Sequence, residues 1–133
     1  MRDLIKQALS EDIGSGDITS DLIIPHDLVV SAKIIVKEKG ILCGINLSKR
    51  VFETVDPGIK IIEKKKDGQK VKKGDIIAFI TGKAKSILKA ERVALNFLQH
   101  LSGIATTTGK YVEKIRGTKA KLLDTRKTIP GLR

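Results

Sequence analysis

Between Ala90 and Ile104 the residues Ala90, Ala94, Phe97, Leu98, Leu101 and Ile104 recur at intervals of three and four, which predicts a helix with one apolar face after Lys89. No other segment constrains the chain as much, because a stripe that long must be covered by a sheet or by other helices. The opposite side of the helix carries Arg92, Asn96 and Gln99, spaced by four and three, so they share a polar stripe about one turn apart. A solvated helix face normally carries Lys and Glu. Neutral amides headed by one Arg imply that something polar packs there, either a ligand or a second helix with hydrogen-bonding side chains.

The segments before this helix supply the cover. Leu4, Ile5, Ala8 and Leu9 predict a short amphipathic helix over Arg2 to Ser10, stopped by Gly14-Ser-Gly16. Residues 12–28 read as an irregular connector tied down by Ile13, Ile18, Leu22 and Ile23. The acidic turn around Asp17 and Asp21 reads as solvated carboxylates rather than a cation site. Val29 to Val36 alternates, with Ala32, Ile34 and Val36 on one face and Lys33 and Lys37 on the other, as a half-buried strand does. Asn46 is a candidate cap for a helix carrying Leu47, Val51 and Val55 that ends before Pro57-Gly58. Strands are expected at Ile59 to Lys64 and Ile76 to Ile80, separated by the turns Lys66-Asp-Gly-Gln69 and Lys73-Gly-Asp75. The fold class expected is α+β: an N-terminal α/β sandwich, a small and mostly antiparallel sheet with helices on it, over residues 1–104.

Residues 105–133 have a different character. Gly103 is expected to interrupt the long helix, and Thr106-Thr-Thr108 leads into a second helical piece with Tyr111, Val112 and Ile115 on one face, ended by Gly117. Ala120 to Asp124 reads as a short strand running into Thr125-Arg-Lys-Thr128. A strand whose C-terminal end carries hydroxyl, guanidinium and ammonium groups is how an α/β barrel presents ligand-binding residues. These residues are expected to be the opening helix and first strand of such a barrel, truncated here.

Composition narrows the function. The 133 residues are 41% hydrophobic and 31% charged, with a mean hydropathy of −0.06, the profile of a globular chain without a membrane-spanning run. Met1 to Glu11 has no uninterrupted apolar stretch, so the cytoplasm is the compartment expected. One cysteine, Cys43, excludes an internal disulfide and reads as a buried structural thiol. His26 and His100 lie too far apart to suggest a zinc site.

The net charge is +11, carried mostly by residues 31–90, with 15 basic and 6 acidic residues, and 110–133, with 8 and 2. A polyanionic partner follows, either a nucleic acid or a small substrate dense in phosphate and carboxylate. The 3% aromatic content makes nucleic acid the weaker candidate, since single-strand binders stack bases on aromatic platforms. The lysines of 64–66 and 70–73 read as a solvated surface. Gly82-Lys83 lacks the glycine five positions earlier that a P-loop needs, where Ile77 stands. Asp67 to Ile80 is similar to half of a biotinyl or lipoyl carrier fold, whose modified lysine would have to be Lys83 or Lys85, but no second half is visible.

Glu91-Arg-Val-Ala-Leu-Asn-Phe-Leu-Gln-His-Leu-Ser-Gly-Ile-Ala-Thr106 and Asp124-Thr-Arg-Lys-Thr-Ile-Pro-Gly-Leu-Arg133 resemble the quinolinate phosphoribosyltransferase family, the carboxylating nicotinate-nucleotide pyrophosphorylases. Ala8 to Ser20 and Val36 to Gly44 are similar to the N-terminal segments of that family, so the resemblance spans nearly the whole chain. It implies phosphoribosyl transfer from phosphoribosyl pyrophosphate to quinolinate with decarboxylation, giving nicotinate mononucleotide, pyrophosphate and CO2 for NAD biosynthesis. Carried over by position, Arg92 matches an arginine that reaches the partner subunit's site in a homodimer and contacts quinolinate. Thr125, Arg126 and Lys127 match the strand-end segment, with Arg126 on a quinolinate carboxylate and Lys127 on the phosphoribosyl pyrophosphate side.

The family's cofactor is Mg2+, with ligands expected in a C-terminal part absent from this sequence. The chain is therefore expected to be an N-terminal portion of a longer enzyme and inactive alone. A related enzyme acting on nicotinate itself shares the architecture. The rival reading is a non-catalytic basic module for nucleic acid or another polyanion.

Overall fold

A computed structural model describes residues 2–14, 16 and 22–128. Among the described residues the elements with defined bounds follow in the order α1 (Arg2–Ile13), β1 (Val29–Ile35), β2 (Gly40–Ile41), α2 (Ile45–Val55), β3 (Lys60–Glu63), β4 (Lys70–Val71), β5 (Ile76–Lys83) and α3 (Ala84–Lys114). Strands β1, β5 and β3 form an antiparallel sheet in that order, and β2 pairs with β4 in a second, two-stranded one. The helices cover one face of the larger sheet, so the α+β sandwich expected from the sequence is the architecture present.

In β1 and β3 the inward and outward residues alternate. In β1, Val30, Ala32 and Ile34 turn inward and Val29, Ser31, Lys33 and Ile35 outward. The main core joins Ile5 and Leu9 of α1, Val51 and Phe52 of α2, Ile80 of β5, and Ile87, Ala90, Val93 and Ala94 of α3. The alanines let α1 and α2 approach α3 closely, while the branched residues fill the space between helices and sheet. A second cluster, Leu42, Ile45, Ile77, Ala78 and Leu98, closes the end of the sandwich near the smaller sheet. The turns are fastened by their own side chains: the Lys66 N–H donates to Gln69 Oε1 at 2.8 Å and the Lys72 N–H to Asp75 Oδ2 at 3.1 Å. Lys65 pairs with Asp75 at 3.6 Å, and the lysines at 64, 66, 70, 72 and 73 face solvent, as the surface reading requires.

Several boundaries differ from those expected, each for a tertiary reason. Helix α1 continues to Ile13 because that side chain still packs on the core. Helix α2 is not capped by Asn46, which is its exposed second residue. Its cap is Gly44 at φ +100°, and Asp67 of the β3–β4 turn accepts from the Ile45 N–H at 3.0 Å. Helix α3 starts six residues early, straight out of β5, and its first N–H, that of Ala84, is satisfied by the Leu28 carbonyl at 2.8 Å. Leu22 and Ile23, expected to tie down the connector, are 81% and 74% exposed, while Ile18, Asp17 and Asp21 lie outside the described residues.

Gly103 does not interrupt α3, which runs unbroken for 31 residues. Its polar side binds the chain around β2: the Ile41 N–H donates to Thr106 Oγ1 at 2.8 Å, the Cys43 N–H donates to Ser102 Oγ at 3.0 Å, and that hydroxyl donates to the Cys43 carbonyl at 3.1 Å. These bonds replace the pairing that a two-residue strand lacks, and they tie the helix to the β2 segment on both sides of Gly103. Ala120 to Asp124 is not a strand, because among the described residues no neighbouring strand pairs its backbone.

Candidate functional site

Arg92 projects from α3 just before two residues that face the core, Val93 at 4% and Ala94 at 0% exposure, and its own side chain is 68% exposed. Its partner is Asp12, in the last turn of α1, whose two carboxylate oxygens both reach Arg92 Nε, Oδ1 at 3.1 Å and Oδ2 at 3.2 Å. The pair spans 80 positions of sequence and exists because Ile5 and Leu9 pack α1 onto α3. With one member two-thirds exposed, it contributes at most about 1 kcal/mol to stability.

Beside the pair lies a cleft of about 460 Å³ between α1 and α3, lined by Glu11, Asp12, Asn96, Phe97 and His100 among others. The polar stripe thus divides: Asn96 faces this cleft, whereas Gln99 lines a second groove, between α3 and residues 122–124. His100 lines both. Neither Asp12 nor His100 belongs to the stripe read from spacing alone. The signal that could have found Asp12 is its charge: Glu11 and Asp12 end α1, which has no basic residue in its last turn, and carboxylates there oppose the helix dipole unless a cation meets them.

Thr125, Arg126 and Lys127 form an exposed segment held by a local turn, with the Lys127 N–H on Thr125 Oγ1 at 3.1 Å and the Thr128 N–H on the Arg126 carbonyl at 3.1 Å. They line neither cleft. The second groove is largely apolar, with Ile104, Tyr111, Val112, Leu122 and Leu123 along it. Among the described residues no three His, Cys, Asp or Glu side chains gather to hold a metal ion.

Cys43 is half-buried rather than fully buried, and burial, followed by the nearby Asp67 carboxylate, pushes its thiol up, away from the reactive thiolate. Lys83 closes β5 and Lys85 lies in the first turn of α3, so neither occupies the hairpin tip that a carrier lysine needs. No helix among the described residues is long and apolar enough to cross a membrane.

The sheet-and-helix sandwich and the long helix leaving it define an α+β domain, with Arg92 exposed on that helix. The chain belongs to the quinolinate phosphoribosyltransferase family: residues 17–102 match the model of the family's N-terminal domain and residues 104–133 that of its C-terminal domain. Among curated relatives it is 45% identical over its whole length to the chloroplastic carboxylating nicotinate-nucleotide pyrophosphorylase of Arabidopsis thaliana, covering 38% of that protein. It is 39% identical to the enzyme of the same name from Mycobacterium leprae, with 99% of this chain and 48% of that protein covered. Among solved structures, NadC from Streptococcus pyogenes superposes with a TM-score of 0.93 at 41% identity, over 98% of this chain and 48% of that one. The nicotinate-nucleotide pyrophosphorylase from Francisella tularensis superposes with a TM-score of 0.90 at 46% identity, over 97% and 45%. The chain therefore spans less than half the length of these relatives.

Proposed function

We propose that this chain is the sandwich domain and barrel opening of an enzyme that transfers the phosphoribosyl group of phosphoribosyl pyrophosphate to quinolinate, releasing pyrophosphate and CO2 and giving nicotinate mononucleotide for NAD biosynthesis. The observation that carries this reading is Arg92, exposed on a rigid helix and held from behind by Asp12, in a chain that matches both domain models of the family. Quinolinate offers two adjacent carboxylates, and planar guanidinium groups grip such groups with paired hydrogen bonds. In this proposal Arg92 reaches the partner subunit's site in a homodimer, and Thr125, Arg126 and Lys127 form one substrate-binding segment, with Arg126 on a quinolinate carboxylate and Lys127 on the phosphoribosyl pyrophosphate side.

Little covalent work falls to these residues. As pyrophosphate leaves the ribose carbon, that carbon gains oxocarbenium character and the pyridine nitrogen bonds to it. Loss of the adjacent carboxylate as CO2 then leaves an electron pair on the ring carbon, which a proton takes up. Fixed cations stabilise the departing charge and hold the reactants in line. Mg2+ supplies neutralisation of the pyrophosphate when bound, and its ligands lie outside the described residues. The compartment proposed is the cytoplasm, which a single free cysteine suits.

The test is steady-state kinetics on the polypeptide that joins this chain to the remaining part of the family architecture. Arg92→Gln is expected to raise KM for quinolinate more than tenfold, and sedimentation is expected to show a dimer. The 133 residues alone are expected to form no nicotinate mononucleotide. Salt-dependent retention on nucleic acid that quinolinate does not affect would instead favour the basic binding module.

A further inference from the structure

We propose that Asp12 is the positioning residue for Arg92, fixing the guanidinium so that its end-on fork faces the substrate carboxylate. This inference rests on the reading that Arg92 binds substrate. Both Asp12 oxygens address Nε, at 3.1 and 3.2 Å, and so engage the side of the guanidinium nearest its own helix. The end of the group, with its two Nη atoms, is the part that forms paired bonds with a second carboxylate.

The pair is anchored from one side. Asp12 is 22% exposed and sits on a helix fixed by Ile5 and Leu9, whereas Arg92 is 68% exposed and carries its charge outward. A long, flexible arginine facing solvent would otherwise sample many rotamers, and holding Nε removes most of that freedom before the ligand arrives. The location of Asp12 is also unfavourable for its own helix, because an acid in the last turn opposes the dipole. An exposed ion pair returns little stability for that cost. Orientation of Arg92 accounts for both the position of the acid and the atom it addresses.

The same joined polypeptide, made as Asp12→Ala, Asp12→Asn, Arg92→Gln and the Asp12→Ala/Arg92→Gln double variant, separates the possibilities. Asp12→Ala is expected to raise KM for quinolinate about tenfold while KM for phosphoribosyl pyrophosphate stays within about twofold, and to have no further effect once Arg92 is Gln. Asp12→Asn, which keeps one acceptor oxygen, is expected to fall between wild type and Asp12→Ala. In the 133-residue chain at low temperature, the Arg92 Nε–Hε NMR signal is expected to be sharp and to vanish by solvent exchange in Asp12→Ala. An unchanged quinolinate KM in Asp12→Ala, with a raised one in Arg92→Gln, overturns the positioning role and leaves the site reading intact. An unchanged KM in Arg92→Gln removes the substrate role of Arg92 and the proposal with it. Equal rises in both KM values, or an effect of Asp12→Ala that persists in the Arg92→Gln background, mean a general structural role and overturn the proposal.

Discussion

Asp56 carries the joint between α2, β3 and α3. Its Oδ1 accepts from the Gly58 N–H at 2.8 Å and its Oδ2 from the Ser86 hydroxyl at 2.8 Å, and these bonds, the Ser86 one foremost, hold its carboxyl below the usual range. A depressed carboxyl contributes stability that is present above its unfolded value, near pH 4, and is lost as pH falls through the lower folded value. Ser86→Ala is therefore expected to destabilise the chain at pH 7, with the difference from wild type shrinking below about pH 4, as urea titrations at pH 7 and pH 2.5 will read. Gly44 is a second single-residue constraint. It holds φ at +100°, and a Cβ there would lie 2.8 Å from Leu101 Cδ1, so Gly44→Ala is expected to cost about 1–3 kcal/mol in chemical denaturation.

The elements that matter most are those tied by something distant in sequence. Helix α3 keeps its course because Thr106 and Ser102 accept from the β2 segment 65 and 59 positions earlier. Gly103 occupies the open side of that helix, where an added Cβ would meet nothing within 4 Å. Gly103→Ala is expected to stabilise the 133-residue chain by about 0.5–1 kcal/mol, since it removes backbone freedom from the unfolded state and meets no neighbour. Thermal unfolding followed by circular dichroism checks it, and a destabilised variant would mean that the helix bends at this point. The opposite signs expected for Gly44→Ala and Gly103→Ala follow from backbone conformation and local space alone.

At the scale of the molecule, two apolar surfaces stand exposed among the described residues. One is the outer face of the larger sheet, where Phe79 and Ile62 are 37% and 60% exposed and Lys64 Nζ lies 5.6 Å from the Phe79 ring centre. The other is the groove where Tyr111, Val112, Leu122 and Leu123 stand 47% exposed or more. The isolated 133-residue chain is expected to bind the apolar dye ANS, and Leu123→Asp to reduce that fluorescence without changing the far-ultraviolet circular dichroism. The interiors of β1, β3 and β5, the turns around Gly68 and Gly74, the α+β class and the apolar face of the long helix were legible from periodicity and turn chemistry, because alternation and three-to-four spacing are local consequences of burying one face, whereas the two-residue strands β2 and β4 are too short to show a period. The family, too, was legible in the runs at Glu91 to Thr106 and Asp124 to Arg133. By itself, then, the sequence determined which faces of the main strands and of the long helix are buried, and that Arg92 lies off the apolar face of that helix. Only the tertiary structure decided that Asp67 and Leu28 satisfy helix starts, that α3 passes through Gly103, and that Asp12 meets Arg92. Each of those depends on a hydrogen bond or ion pair between segments 22 to 80 residues apart, and local patterns carry no information about a partner that only packing brings near.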